Sequence, residues 1–222
     1  MTSTGMTSNA EMLGTGGTLG VVLIHDIYGR GAYLRSVAES LAAAGVPSAS
    51  VDLFGGKAPA TVEEGRAVAV TLTDEGVLGV LEEARVALAA RLEGPARVGT
   101  LGFCMGGGYA LLGACHRPFE FAVDFYGKIT HVEDVAGLRG PVLVLLGSED
   151  ERITPWAFAE LLPAANRAKK RVSLELYPNV RHAFHRPGWE GYDAPAAAAA
   201  WRRTLDFLSD LQGAAPVRPA HR

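Results

Sequence analysis

The stretch RVGTLGFCMGGGYALLGAC, residues 97–115, decides the fold. Residues 97–103 form a short, nearly continuous apolar run, the mark of a strand buried on both faces. Residues 107–115 read as a helix. Between them GFCMGG, residues 102–107, follows the pattern Gly-x-nucleophile-x-Gly, with Cys104 where serine is more usual. The turn is tight, and side chains at Gly102 and Gly106 would meet neighbouring elements. Cys104 is therefore expected on strained backbone at a helix N-terminus, where the dipole and unpaired N–H groups favour a thiolate. The Met105 N–H points to the same place and can hold a developing oxyanion. Two blander readings compete. One is a buried cysteine in a close packing turn. The other is a phosphate-cradling loop, which lacks the Gly-Lys-Ser/Thr ending.

Outward from this turn, short apolar runs alternate with amphipathic stretches. Strands are expected at 19–25, 47–53, 121–126, 141–146 and 172–177, the last with Val172, Leu174 and Leu176 on one face. Helices are expected at 33–44, at 61–92 in two pieces broken near Asp74–Gly76, at 156–167 behind Pro155, and at 195–211. Alternation of this kind gives an α/β fold, a mostly parallel central sheet with helices on both faces. Residues 1–17 read as a flexible lead-in, 18–212 as a single domain and 213–222 as a tail. Chemistry on such sheets sits at the carboxyl ends of the strands. There lie His25–Asp26, Cys104, Tyr126, Glu149–Asp150 and His182.

Composition narrows the function. The 222 residues carry a net charge of −3, with 48% hydrophobic and 20% charged side chains. That suits one globular domain and excludes a disordered or fibrous chain. The lack of a basic cluster argues against nucleic acid as a partner. No apolar run approaches the roughly 18 residues of a membrane span, and the polar N-terminus has no secretory pattern, so a cytoplasmic location is expected. Cys104 and Cys115 lie eleven residues apart; on one helix that is ~16 Å, too far for a disulfide. No pair of residues has a familiar zinc spacing.

The strand-end residues suggest a chemistry. In this architecture the order nucleophile, acid, histidine is matched by Cys104, Asp150 and His182. Cys104 would attack a carbonyl carbon, His182 would move the proton, and Asp150 would hold the imidazole in one tautomer. Glu149 and Glu151 compete with Asp150, and His185 competes with His182. His25 and His131 read as structural or surface groups. Phe54, Trp156, Phe184 and Trp189 could line an apolar pocket, although core packing is the simpler reading for any one of them. A redox-sensing thiol is a further idea, but Cys115 should lie three helical turns away from Cys104.

Six separated pieces give the chain a resemblance. They are HDIYG (25–29), SVDL (50–53), GFCMGG (102–107), LLGSED (145–150), RHAF (181–184) and TLDFL (204–208). Together they resemble the dienelactone hydrolase family of α/β-hydrolases over nearly the whole chain. The resemblance implies an α/β-hydrolase fold with no large cap domain. It implies hydrolysis of a small-molecule lactone or ester through an acyl-cysteine, with neither metal nor organic cofactor. A monomer or a dimer is compatible with it. It assigns the triad to Cys104, Asp150 and His182, and the oxyanion hole to the N–H groups of Ile27 and Met105. Asp26 stands where the family's degradative members carry a glutamate, and Arg186 matches an arginine that pairs with that acid and with a substrate carboxylate. Two positions depart. Ala183 stands in place of a serine, and Val62 in place of a carboxylate-binding arginine, which Arg66 one turn away could replace. Tyr126 is expected on the same rim. The departures keep a broad carboxylesterase or thioesterase in view, and a non-catalytic lactone-binding protein stands as the rival from another class.

Overall fold

A computed structural model describes residues 10–129 and 131–213. The strands are β1 (Glu11–Leu13), β2 (Leu19–Ile24), β3 (Ser48–Ser50), β4 (Arg97–Phe103), β5 (Ala122–Phe125), β6 (Val142–Gly147) and β7 (Val172–Tyr177). The helices are α1 (Ala32–Ala43), α2 (Val62–Ala69), α3 (Asp74–Ala89), α4 (Met105–His116), α5 (Leu161–Arg167) and α6 (Ala194–Gly213). The strands form one sheet in the order β1-β3-β2-β4-β5-β6-β7. Among the described residues only the β1–β3 pairing is antiparallel, so the sheet is mostly parallel, as the sequence pattern requires.

The apolar runs become the buried centre. Every residue of β2, β4, β5 and β6 is buried. Helices α3 and α4 pack on each other, while α1 and α6 flank a common cavity. Burial of this kind contributes roughly 25 cal/mol per Å² of apolar surface and dominates the fold's stability.

The structure corrects several boundaries. Glu11–Leu13, read as part of a flexible lead-in, is a strand, with Glu11 opposite Ser50 and Leu13 opposite Ser48. Residues 1–9 and 214–222 lie outside the described residues, and Gly213 closes α6 rather than opening a tail. The strand expected at 47–53 is only Ser48–Ser50. The break between α2 and α3 falls at residues 70–73, because Thr73 accepts the Gly76 N–H and caps α3, making Asp74–Gly76 its first turn. The helix expected at 156–167 is a 3₁₀ turn, Pro155–Phe158, followed by the short α5. Leu176 shares a strand face with Val172 and Leu174, but β7 is an edge strand and Leu176 is 48% exposed. Among the described residues no helix is long and apolar enough to cross a membrane.

Candidate active site

The site is assembled from the loops that leave β2, β4, β5, β6 and β7. At the end of β4, Cys104 takes φ 54° and ψ −116°, a conformation outside the usual regions for a residue with a side chain. Its N–H donates to the Phe125 carbonyl at 2.9 Å, and α4 begins at the next residue. The glycines explain how such a turn can exist. A Cβ on Gly102 would collide with the Gly106 carbonyl. A Cβ on Gly106 would collide with the carbonyls of Ile24 and His25. Strand, helix and the β2 loop therefore come together only because these positions lack side chains. That approach brings the loop carrying Asp26 and Ile27 beside the elbow. Helix α2 holds the loop from the other side, with Gly65 against the Ile27 carbonyl. Among the described residues, neither the Ile27 nor the Met105 N–H is bonded to another group of the protein.

Cys104, His182 and Asp150 form one hydrogen-bonded chain. His182 Nε2 lies 3.2 Å from Cys104 Sγ, and Nδ1 lies 2.8 Å from Asp150 Oδ2. The other oxygen of the buried Asp150 accepts the N–H groups of Arg152 and Ile153 at 2.9 and 2.7 Å. Of the competing residues, the structure brings Asp150 and His182 together with Cys104. Glu149 and Glu151 are exposed. His185 turns away, its Nδ1 2.8 Å from the Tyr33 hydroxyl. Burial works against the His182 imidazolium, but hydrogen bonds to Asp150 and to the Cys104 sulfur outweigh it and raise the pKa to about 9. His185 has no such compensation, and burial pushes it down to about 4. His25 is a structural histidine, buried, with Nδ1 at 2.7 Å from the Asp26 carbonyl and Nε2 accepting the Leu53 N–H. His131 is exposed.

Asp26 and Arg186 meet in a partly buried ion pair. Asp26 Oδ1 also accepts the Tyr28 N–H at 2.9 Å. The Arg186 guanidinium lies 4.5 Å from the Tyr28 ring centroid and 4.9 Å from that of Tyr33. Trp189 meets Tyr28 edge-on at 5.7 Å, and Arg152 lies over Trp189. A cavity of about 220 Å³ opens beside Trp189 and His182.

Other expected site residues lie elsewhere. Arg66 is exposed, and among the described residues its side chain makes no hydrogen bond or ion pair. Tyr126 is not on the rim. It is 1% exposed, with φ 46°, and its ring packs edge-on beneath His182 at 5.2 Å. Phe54 and Phe184 are core residues, and Trp156 is 84% exposed, so of the four candidate aromatics only Trp189 borders the site. Cys104 and Cys115 are both free, and burial pushes the Cys115 thiol up to about 12, which makes it a poor resolving partner. The sequence reading passed over Tyr28, Tyr33 and Asp124. Tyr28 lies within HDIYG and was available there. Asp124 carried a signal too, as a lone acid in the apolar run FAVDFY.

A statistical model of the dienelactone hydrolase family matches residues 12–212. The chain belongs to the dienelactone hydrolase family. It is 30% identical over 207 residues to a carboxymethylenebutenolidase of Pseudomonas putida, covering 88% of this chain and 87% of that one. A solved structure from Klebsiella pneumoniae subsp. pneumoniae MGH 78578 superposes with a TM-score of 0.84 at 24% identity, covering 93% and 95% of the two chains. The dienelactone hydrolase from Anabaena variabilis ATCC 29413 superposes at 0.65 with 21% identity, covering 90% of each. At these identities the two structural likenesses establish the α/β-hydrolase fold. Within that fold Cys104, Asp150 and His182 come from the ends of β4, β6 and β7.

Proposed function

We propose that this family member hydrolyses small lactones or esters through an acyl-cysteine intermediate, with Cys104 as nucleophile, His182 as general acid and base, and Asp150 as its orienting partner. One observation carries the reading: the continuous Cys104–His182–Asp150 chain at 3.2 and 2.8 Å, built on a strained elbow at the start of α4. The 30% identical carboxymethylenebutenolidase supports the lactone-opening form of the reaction.

The steps follow from the groups present. The Cys104 proton passes to His182 Nε2, 3.2 Å away, as Sγ bonds to the carbonyl carbon, and the carbonyl π electron pair moves to oxygen. The N–H groups of Met105 and Ile27 donate hydrogen bonds to that oxyanion. As the intermediate collapses, the C–O bond to the leaving oxygen breaks and His182 donates its proton to it, leaving a thioester. The sulfur contributions that raise the His182 pKa belong to the free thiol, so acylation removes them. The imidazole, neutral once it has given up that proton, then stays neutral near pH 7 and can act as a base. It deprotonates a water, whose oxygen attacks the thioester carbon; the C–S bond then breaks, the acid leaves, and His182 returns the proton to Cys104.

A second reading, a broad carboxylesterase or thioesterase on the same triad, draws on one observation. Arg186 is engaged with Asp26, and Arg66 is exposed with no partner among the described residues to hold it in place, so neither is a cation fixed for a substrate carboxylate. Hydrolysis of a dienelactone beside a simple aryl acetate, by wild type and Cys104→Ser, tests both. Dienelactone opening lost in the variant is the expected result. Activity on the acetate alone, also lost in the variant, selects the second reading. Equal rates from both proteins would refute Cys104 as nucleophile.

A further inference from the structure

Asp124 is fully buried at the end of β5, opposite Gly102 of β4 in the sheet register. Its Oδ1 accepts the Gly127 N–H at 2.7 Å, closing a turn around Phe125 and Tyr126. Its Oδ2 has no hydrogen-bond partner among the described residues. The side chain fills the seam between this turn and the first turn of α4. A Cβ on either Gly107 or Gly127 would collide with Oδ1, and one on Gly127 would also strike the Gly108 nitrogen. The same turn is tied to both neighbouring strands. The Phe125 carbonyl accepts the Cys104 N–H, and the Tyr126 N–H donates to the Leu145 carbonyl, both at 2.9 Å.

This clamp supports an unfavourable conformation. Tyr126 has φ 46°, a left-handed geometry that a bulky residue adopts only when its surroundings enforce it. In that geometry its ring lies edge-on against His182 at 5.2 Å and against Phe184 at 5.4 Å. The His182 ring is otherwise held by one bond at each nitrogen, to Asp150 and to Cys104. Two such bonds leave the ring free to tilt about the line that joins them, and the Tyr126 ring blocks that tilt.

We propose that Asp124 is a positioning residue for His182, acting through Tyr126: its side chain closes the turn that holds the tyrosine ring against the imidazole. The proposal rests on the reading of His182 as the group that activates Cys104. Burial pushes the Asp124 carboxyl up to about 7, although the Gly127 hydrogen bond opposes this. The side chain is therefore about half neutral at pH 7 and largely neutral below it, and asparagine reproduces its size, its acceptor and its uncharged form.

The test is a double-mutant cycle on Asp124→Ala and Tyr126→Ala, with Asp124→Asn as the conservative variant. Two rates are measured at pH 7: alkylation of Cys104 by iodoacetamide, followed on its own peptide by mass spectrometry, and kcat and KM on an aryl acetate. Thermal melts check that each variant is folded. Misplacing a catalytic group by a fraction of an ångström costs on the order of tenfold or more. Asp124→Ala is thus expected to slow both alkylation and kcat by about tenfold, with KM changed little. Asp124→Asn should stay close to wild type. In the Tyr126→Ala background, Asp124→Ala should add almost nothing. Multiplicative effects in the double variant, or a folded Asp124→Ala protein with wild-type rates, would overturn the proposal. Should Asp124→Ala not fold, Tyr126→Ala alone decides, since an unchanged alkylation rate refutes the proposed route. Alkylation needs no substrate. Absence of turnover on every ester, with alkylation responding as expected, would sink the hydrolase reading and leave the Asp124 assignment standing. Normal turnover with alkylation indifferent to Asp124 would do the reverse.

Discussion

Arg186 pairs with Asp26 across 160 residues of chain, and its guanidinium lies over the rings of Tyr28 and Tyr33. The pair joins the loop after β7 to the loop after β2. Those loops carry His182 and the Ile27 N–H, so the pair links the proposed base to half of the proposed oxyanion site.

Replacement of either partner therefore reports on this link. The side chains are 23% and 7% exposed, so the pair is partly buried. Asp26→Asn leaves the guanidinium without its carboxylate and weakens the acceptor of the Tyr28 N–H. A loss of about 2–3 kcal/mol is expected, somewhat below the cost of breaking a fully buried pair. Arg186→Lys keeps the charge but loses the planar group stacked on two rings, for about 1–2 kcal/mol. Urea midpoints at constant m-value measure both. Equal stability of Asp26→Asn and wild type would show that the pair contributes nothing net.

The elbow glycines predict a sharper response. In Gly106→Ala the new methyl would strike the carbonyls of Ile24 and His25, which are backbone atoms of a central strand and its loop and cannot swing aside. The expected cost exceeds about 3 kcal/mol, the range of severe overpacking. Gly188→Ala is a useful contrast. Its added methyl would meet nothing within 4 Å, and only its φ of 81° opposes the change, so about 1 kcal/mol is expected. Denaturant melts of the two variants should differ accordingly. A Gly106→Ala protein as stable as wild type would mean that the β4–α4 turn relaxes freely.

Much of this arrangement was legible in the residues. The parallel sheet followed from runs such as LGVVLI and VLVLLG, because strands buried on both faces must be apolar throughout. The elbow and the order of Cys104, Asp150 and His182 followed from strand ends. What failed had physical causes. A three-residue strand such as Glu11–Leu13 is too short to show a period. Tyr126 was placed on the rim because nothing in its local sequence signals a left-handed tyrosine turned inward. The resemblance already paired Arg186 with Asp26 and offered Arg66 only as a stand-in for Val62, and the fold carries Arg186 to Asp26 and leaves Arg66 exposed. Asp124 was overlooked because a buried neutral acid contradicts the residue's usual solvation.

His185 should make the protein sensitive to acid. Its folded pKa is lowered to about 4 by burial, against roughly 6.5 in the unfolded chain. Between these values the unfolded state binds more protons. Stability is therefore full above about pH 6.5 and falls as pH drops toward 4, by up to about 3 kcal/mol. His185→Asn does not titrate there and can still accept a hydrogen bond from Tyr33. Its stability should fall less steeply between pH 6.5 and 4.5. Parallel curves for the two proteins would exclude His185 as the source of the loss.

His182 gives the opposite slope. Its folded pKa is raised to about 9, so between about pH 6.5 and 9 the folded state binds more protons than the unfolded one. The stabilisation is complete below pH 6.5 and disappears as pH rises through 9, again by about 3 kcal/mol at most. His182→Asn should flatten this part of the curve. Cys104→Ala provides the finer test. It removes the sulfur's hydrogen bond and charge but leaves Asp150 in place, so the imidazole should titrate at lower pH and the decline should be smaller. Denaturant midpoints of the three proteins from pH 6 to 9.5 measure the difference. If Cys104→Ala retained the full wild-type decline, the sulfur would contribute nothing to the imidazolium. The release of His182 on acylation, which the proposed second half-reaction requires, would then have no source.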